Sequence, residues 1–163
     1  MTTMTAARPR MKGHPGYRLT ADRVPETAQA ARRLARVAMA VWGLDDDAET
    51  AALVMSELVA NAVRHAQGPR IGLAVNRPAT RRVYLAVSDR SPGRPPQLRT
   101  PEEDAVHGRG LLLIDAIAHR WGYDLLGAGR QPSGKRVWVE LTADPMSPAH
   151  PIPDATPSRV GLR

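Results

Sequence analysis

The spacing of apolar residues changes character at Gly68-Pro69, and that change sets most of what this chain can fold into. Before it, two segments carry apolar residues at three-and-four spacing, the signature of amphipathic helices. The first is opened by Pro25 and Glu26, runs through Ala28, Ala31, Leu34, Ala35, Ala38, Met39 and Trp42, and stops at Gly43. The second starts near Asp45 to Asp47, whose carboxylates suit a helix N-terminus, and continues through Leu53, Val54, Leu58, Val59, Ala62 and Val63 to about Ala66. After Gly68-Pro69 the period falls to two. Ile71, Leu73 and Val75 alternate in one strand and Val83, Leu85 and Val87 in the next, with a turn around Asn76 to Thr80, which predicts an antiparallel hairpin. A short strand around Tyr17 to Thr20 precedes the first helix. A compact apolar helix from Leu111 to Ala118 follows a Gly-Arg-Gly turn, and strands are predicted at Trp121 to Leu126 and Val137 to Leu141.

Between the hairpin and the third helix the pattern vanishes from Ser91 to His107, a stretch holding Pro92, Pro95, Pro96 and Pro101. A connection of that length in a compact domain is either functional or unstructured, and a lid is the reading adopted here. Residues Met1 to His14 and Asp144 to Arg163 show no periodicity. The second of these holds Pro145, Pro148, Pro151, Pro153 and Pro157, so both ends read as tails flanking one domain over residues 15–143.

An apolar fraction of 42% over 163 residues suffices for a single core. No run approaches the length of a membrane-spanning helix and no apolar stretch follows the basic start, so a cytoplasmic protein is expected. Cysteine is absent, which removes disulfides, thiolate metal sites and a cysteine nucleophile. The net charge of +7 invites a nucleic-acid reading, but the positive residues are scattered and aromatic residues make up only 4%, without one Phe. That composition argues against stacking platforms for single strands, and a basic surface that attracts an acidic protein or a nucleotide is the better account.

Three short segments carry the chemistry. In the second helix Glu57, Asn61 and His65 fall at i, i+4 and i+8 and share one face of an otherwise apolar segment. Such a stripe is a solvated face, a buried network or a ligand site. Asp89 ends the strand begun by Val83 and by alternation falls on the side of Val83, Leu85 and Val87. A carboxylate there either starts the Ser-Pro-Gly turn or accepts a hydrogen bond from an exocyclic amino group such as adenine's. Gly108-Arg109-Gly110 stands at a helix start, where N–H groups uncovered by Cβ atoms can approach phosphate oxygens and Arg109 can add charge.

In this order the three segments resemble the nucleotide-binding boxes of the histidine-kinase-like ATPase superfamily, which includes gyrase, the ninety-kilodalton heat-shock chaperone and the mismatch-repair ATPases. The likeness is strongest to bacterial anti-sigma-factor serine/threonine kinases and their actinobacterial relatives. It spans roughly Tyr17 to Leu141 and takes in Pro25-Glu26 through Arg32, Ser56 to Ala66, Asp89 to Gly93, Gly108 to Ile114 and Gly134-Lys135-Arg136-Val137-Trp138. The resemblance implies an α+β fold: a two-layer sandwich with a mixed, mostly antiparallel sheet, helices packed on one face, and an ATP lid. It implies ATP and Mg²⁺ as cofactors, with Asn61 the metal ligand, Asp89 the adenine reader, and Gly93, Gly108, Arg109, Gly110 and Leu111 lining the nucleotide. It makes Glu57 the general base of a kinase acting on a partner serine. A sigma factor or the antagonist of its inhibitor is the implied partner, a homodimer paired through the sheet is a further implication, and no direct nucleic-acid or membrane contact is implied.

Two positions depart from the family pattern. Ser91 stands where the superfamily usually has glycine, and Lys135 follows Gly134 where relatives often carry threonine. Both predict an altered adenine pocket. The stretch from Gly129 to Arg136 nearly spells a P-loop, but it ends in Arg136 in place of a hydroxyl residue and leads into a strand pattern, not a helix. A histidine kinase proper is disfavoured, because 163 residues leave no room for a separate phosphoacceptor module. Two functions lead, an ATP-dependent protein kinase and a switch of the same fold in which ATP orders a lid without phosphotransfer; a third, a basic nucleic-acid binder, would show affinity falling steeply with salt and indifferent to ATP.

Overall fold

The computed structural model describes residues 16–96, 109–128 and 130–143. Both predicted tails, most of the predicted lid and Gly108 lie outside the described residues. The chain runs through β1 (Gly16–Asp22), α1 (Thr27–Val41), a 3₁₀ turn (Asp45–Asp47), α2 (Ala48–His65), β2 (Arg70–Ala79), β3 (Arg82–Asp89), α3 (Arg109–Ile117), β4 (Arg120–Leu126) and β5 (Gly134–Thr142).

The five strands form one sheet in the order β1-β2-β3-β5-β4, and all four pairings are antiparallel. Period-two alternation explains its two faces. Leu19, Ile71, Leu73, Val75, Val83, Leu85, Val87, Val137, Val139 and Leu141 share one side and are buried in a single cluster with the helices. Into the same cluster α1 delivers Ala31, Ala35, Ala38 and Met39, and α2 delivers Ala51, Ala52, Val54, Met55, Leu58, Val59 and Ala62. The result is the two-layer α+β sandwich with helices on one face. The predicted stripe of α2 needs one correction: Leu53 is exposed, and Met55 takes the buried position. The hairpin turn also comes later than predicted, because β2 carries on through a ladder irregularity between Asn76 and Ala79.

The helix ends follow from local chemistry. Gly43, at φ 69°, reverses the chain after α1 in a conformation that side chains with a Cβ rarely adopt. Carbonyls near the end of α2 are satisfied from a distance: Arg23 donates from Nη1 to the Val63 carbonyl at 2.8 Å and from Nε to the Gly68 carbonyl at 2.6 Å. Its positive charge also suits a helix C-terminus. The opposite face of the sheet is polar and aromatic, with Tyr84 stacked on Trp138 and buried Glu140 bridging Arg82 at 2.9 Å and Arg120 at 2.8 Å. Among the described residues no helix is long and apolar enough to cross a membrane.

Candidate functional site

Every predicted site residue within the described part of the chain lies on α2, at the end of β3, in the turn after it (Gly93) or at the start of α3, and α2 packs against both β3 and α3. A hydrogen bond closes the junction. The Gln67 N–H, just past the end of α2, donates to Ser91 Oγ at 2.6 Å, which ties that end of the helix to the turn after β3. At its other flank Arg32 donates to Ser56 Oγ at 2.8 Å, fixing α1 against the turn of α2 that carries Glu57.

Glu57 and Asn61 are half-buried, one turn apart, and neither side chain hydrogen-bonds to any described residue. A carboxylate and an amide on a core helix, solvated but uncommitted, are available to a ligand. His65, the third member of the stripe, is exposed. Leu111 is buried in the core cluster and anchors the start of α3, Arg109 and Gly110 form the first positions of that helix, and Gly93 is exposed with open space where a Cβ would sit.

Asp89 lies on the core side, as alternation predicts, with its side chain 2% exposed. A buried carboxylate needs donors, and three arrive. The Ser91 N–H donates to Oδ1 at 2.7 Å, and Lys135 Nζ donates to both Oδ1 and Oδ2 at 2.9 Å. Lys135 is itself 2% exposed and sits directly opposite Asp89 in the β3–β5 register. Its remaining contact is the Ser91 carbonyl at 3.1 Å. Three donor hydrogens therefore meet three acceptors, so the ammonium is fully satisfied, while Oδ2 accepts one hydrogen bond and retains a second lone pair.

Sequence reasoning noted Lys135 and Ser91 as departures but missed what they do. Ser91 accepts from Gln67 and donates to Asp89, so it is a hydrogen-bonded hinge of the site and more than a bulkier glycine. Lys135 supplies the counter-charge to the predicted base reader. Gly134 makes that pairing possible, because a Cβ there would run into the Asp89 carbonyl oxygen. Gly134→Ala is expected to push β5 from β3 at this end and cost roughly 1–3 kcal/mol of stability, as overpacking does. Urea unfolding checks it, and an unchanged midpoint would show that the strands have slack.

A rival cleft of about 160 Å³ lies at the opposite end of β3, lined by Trp42, Leu44, Asp47, Arg77, Arg81 and Ala143 among others. It is smaller than the roughly 300 Å³ at which ligand pockets begin.

A sequence model of the histidine kinase-like ATPase domain matches residues 21–140. The chain belongs to this family. The match begins inside β1 and ends inside β5, so it takes in every helix and the whole of the junction just described. No curated protein matches the chain.

As a histidine kinase-like ATPase domain, the chain is of a nucleotide-binding type, and its residues fit magnesium nucleotide. Among the described residues no cluster of three or more His, Cys, Asp or Glu could hold a metal by itself. Magnesium bound with a nucleotide needs no such cage, since it takes one or two protein groups and completes its shell with phosphates and water. The uncommitted Asn61 amide is suited to be one such group, and the open lone pair of Asp89 Oδ2 to accept from a base.

Proposed function

We infer that this ATPase domain is a regulatory serine/threonine protein kinase of the anti-sigma-factor type, acting on an antagonist protein. The observation that carries the reading is the pairing, on one turn of α2, of an uncommitted carboxylate and an uncommitted amide, on a helix that packs against the strand ended by the buried Asp89. Bound ATP with Mg²⁺ supplies the transferable phosphoryl group. Asn61 would hold the metal, the N-terminus of α3 with Arg109 and Gly110 would bind phosphate, and Leu111 keeps that helix start seated in the core. Glu57 accepts the proton of a partner's serine hydroxyl as its oxygen becomes a nucleophile. The basic surface of a chain carrying +7 favours an acidic partner, whether a sigma factor or the antagonist.

The second reading, a switch in which nucleotide shifts a protein surface without transfer, is favoured by one feature: Asp89 already has a counter-ion, so nucleotide is not needed to satisfy it. A pull-down from lysate with and without ATP, followed by transfer of labelled phosphate to the captured partner, separates the two. The kinase reading expects a labelled serine or threonine. Nucleotide-dependent capture with no label would support the switch, and capture indifferent to ATP would overturn both. In the same series, Asn61→Ala is expected to make ATP binding insensitive to Mg²⁺ in calorimetry; retained sensitivity would take Asn61 out of the metal shell.

A further inference from the structure

Large apolar side chains exposed among the described residues gather along one edge of the molecule: Val24 just after β1, and Val37 and Val41 on α1, the last two 50% and 64% exposed. Apolar surface collected in one place marks an interaction face. α1 lies over β1 and β2 and reaches α2 through Arg32 and Arg36, so its other flank overhangs the β1 edge. That flank reads Ala30, Leu34, Val37 and Val41, a four-three-four spacing that suits packing along a second helix.

Beneath this flank β1 is the end strand of the sheet, and its hydrogen bonds fix which backbone groups turn outward. The Arg23 N–H, one step beyond the Asp22–Arg70 pair of the β1–β2 register, donates to the Pro69 carbonyl at 2.8 Å. In an antiparallel ladder residues two apart turn to the same neighbour. Tyr17, Leu19 and Ala21 therefore direct their N–H and C=O groups at β2, while those of Arg18 and Thr20 point away from the sheet. The Asp22 carbonyl, on the outward parity, accepts from Thr27 Oγ1 at 2.6 Å instead of from β2.

We propose that two copies of this chain pair symmetrically through their β1 edges, antiparallel about a two-fold axis at Thr20, into one continuous sheet. Charge on an edge strand ordinarily repels another strand, but this edge is complementary to itself. Arg18 and Asp22 flank Thr20 at equal distance and share the sheet face turned from the helices, so each Arg18 comes directly opposite the partner's Asp22, twice in the dimer. Asp22 already holds Arg70 at 3.8 Å, and a carboxylate has acceptor positions for both. A two-fold axis at Leu19 would set Arg18 against Thr20 and Asp22 against Gly16, so charge selects Thr20. The same axis sets α1 antiparallel to its copy, flank against flank, which covers Val37 and Val41.

This inference stands apart from the nucleotide reading, and sedimentation equilibrium of the full chain tests it, with circular dichroism as the check on folding. The unaltered chain should sediment at twice its monomer mass. Arg18→Asp and Asp22→Arg, taken singly, set like charges opposite each other and should each raise the dissociation constant about tenfold or more. Mixed in equal amounts, the two variants should dimerise as the unaltered chain does, because every opposed pair is then unlike. A dimer indifferent to both substitutions, or one not restored by mixing, would overturn the β1 edge as the seam, and a monomer at about 0.1 mM would overturn the dimer itself. Should either charge variant fail to fold, Val41→Glu, at a position already open to water, decides: weakened pairing supports the seam and undiminished pairing overturns it.

Discussion

Asp89→Asn is expected to destabilise the fold by about 3–5 kcal/mol, because it leaves the Lys135 ammonium buried without its counter-charge. The amide can still accept through one oxygen, but it returns no charge to a side chain that is 2% exposed. Lys135→Met should cost a similar amount for the mirror reason, a buried carboxylate left with the Ser91 N–H as its only remaining donor among the described residues. The double variant should recover most of the loss, since exchanging a whole buried ion pair for neutral groups is often neutral or even stabilising, by about 1–4 kcal/mol. Urea unfolding of the four proteins forms a double-mutant cycle. Additive losses would mean that the two side chains do not act on each other. Nucleotide affinity has to be read on this background: a loss of about 1–3 kcal/mol in ATP binding by folded Asp89→Asn is the part belonging to recognition.

Glu57→Gln should behave in the opposite way, leaving the fold and ATP affinity almost unaltered while phosphotransfer to the cognate partner falls about 10²–10⁴-fold, the range contributed by a positioned general base. The reason is local. Glu57 is half-buried on α2, and no described residue depends on its carboxylate for a hydrogen bond, so the isosteric amide strands nothing. A single-turnover assay with saturating ATP and partner measures the step directly. A variant that transfers at the original rate would remove Glu57 from the chemistry and move the weight to the switch reading.

Much of the fold could be read before any coordinates, because each apolar stripe carries its own period. Ala31, Ala35, Ala38 and Met39 are buried at the spacing that announced α1, and Val83, Leu85 and Val87 at the alternation that announced β3. The same alternation put Asp89 on the core side. Lys135 escaped for two reasons. A lysine is rarely buried, so it reads as solvated by default; and the strand predicted from Val137 starts three residues after the observed start of β5 at Gly134. Extending Leu141, Val139 and Val137 backward by the same step lands on Lys135, on the helix side of the sheet. The Ser91 hydroxyl escaped for another reason: its partner is the Gln67 backbone N–H, 24 positions away, and backbone donors leave no mark in a sequence. Leu53 was misplaced because α2 is apolar around most of its circumference at that point, where Ala51, Ala52, Val54 and Met55 are all buried and periodicity cannot choose a face.

The Arg23 contacts at the base of α2 carry a consequence for inheritance across the family. One side chain between β1 and α1 serves carbonyls 40 and 45 positions downstream, so it holds the helix end that leads into Gln67. A drift of this residue to lysine keeps the charge but loses the forked geometry needed to reach two acceptors at once. Lineages that have lost arginine here should therefore carry a compensating change near Gly68, and a chimera swapping only the first strand between such lineages should exchange amide hydrogens faster along the last turn of α2.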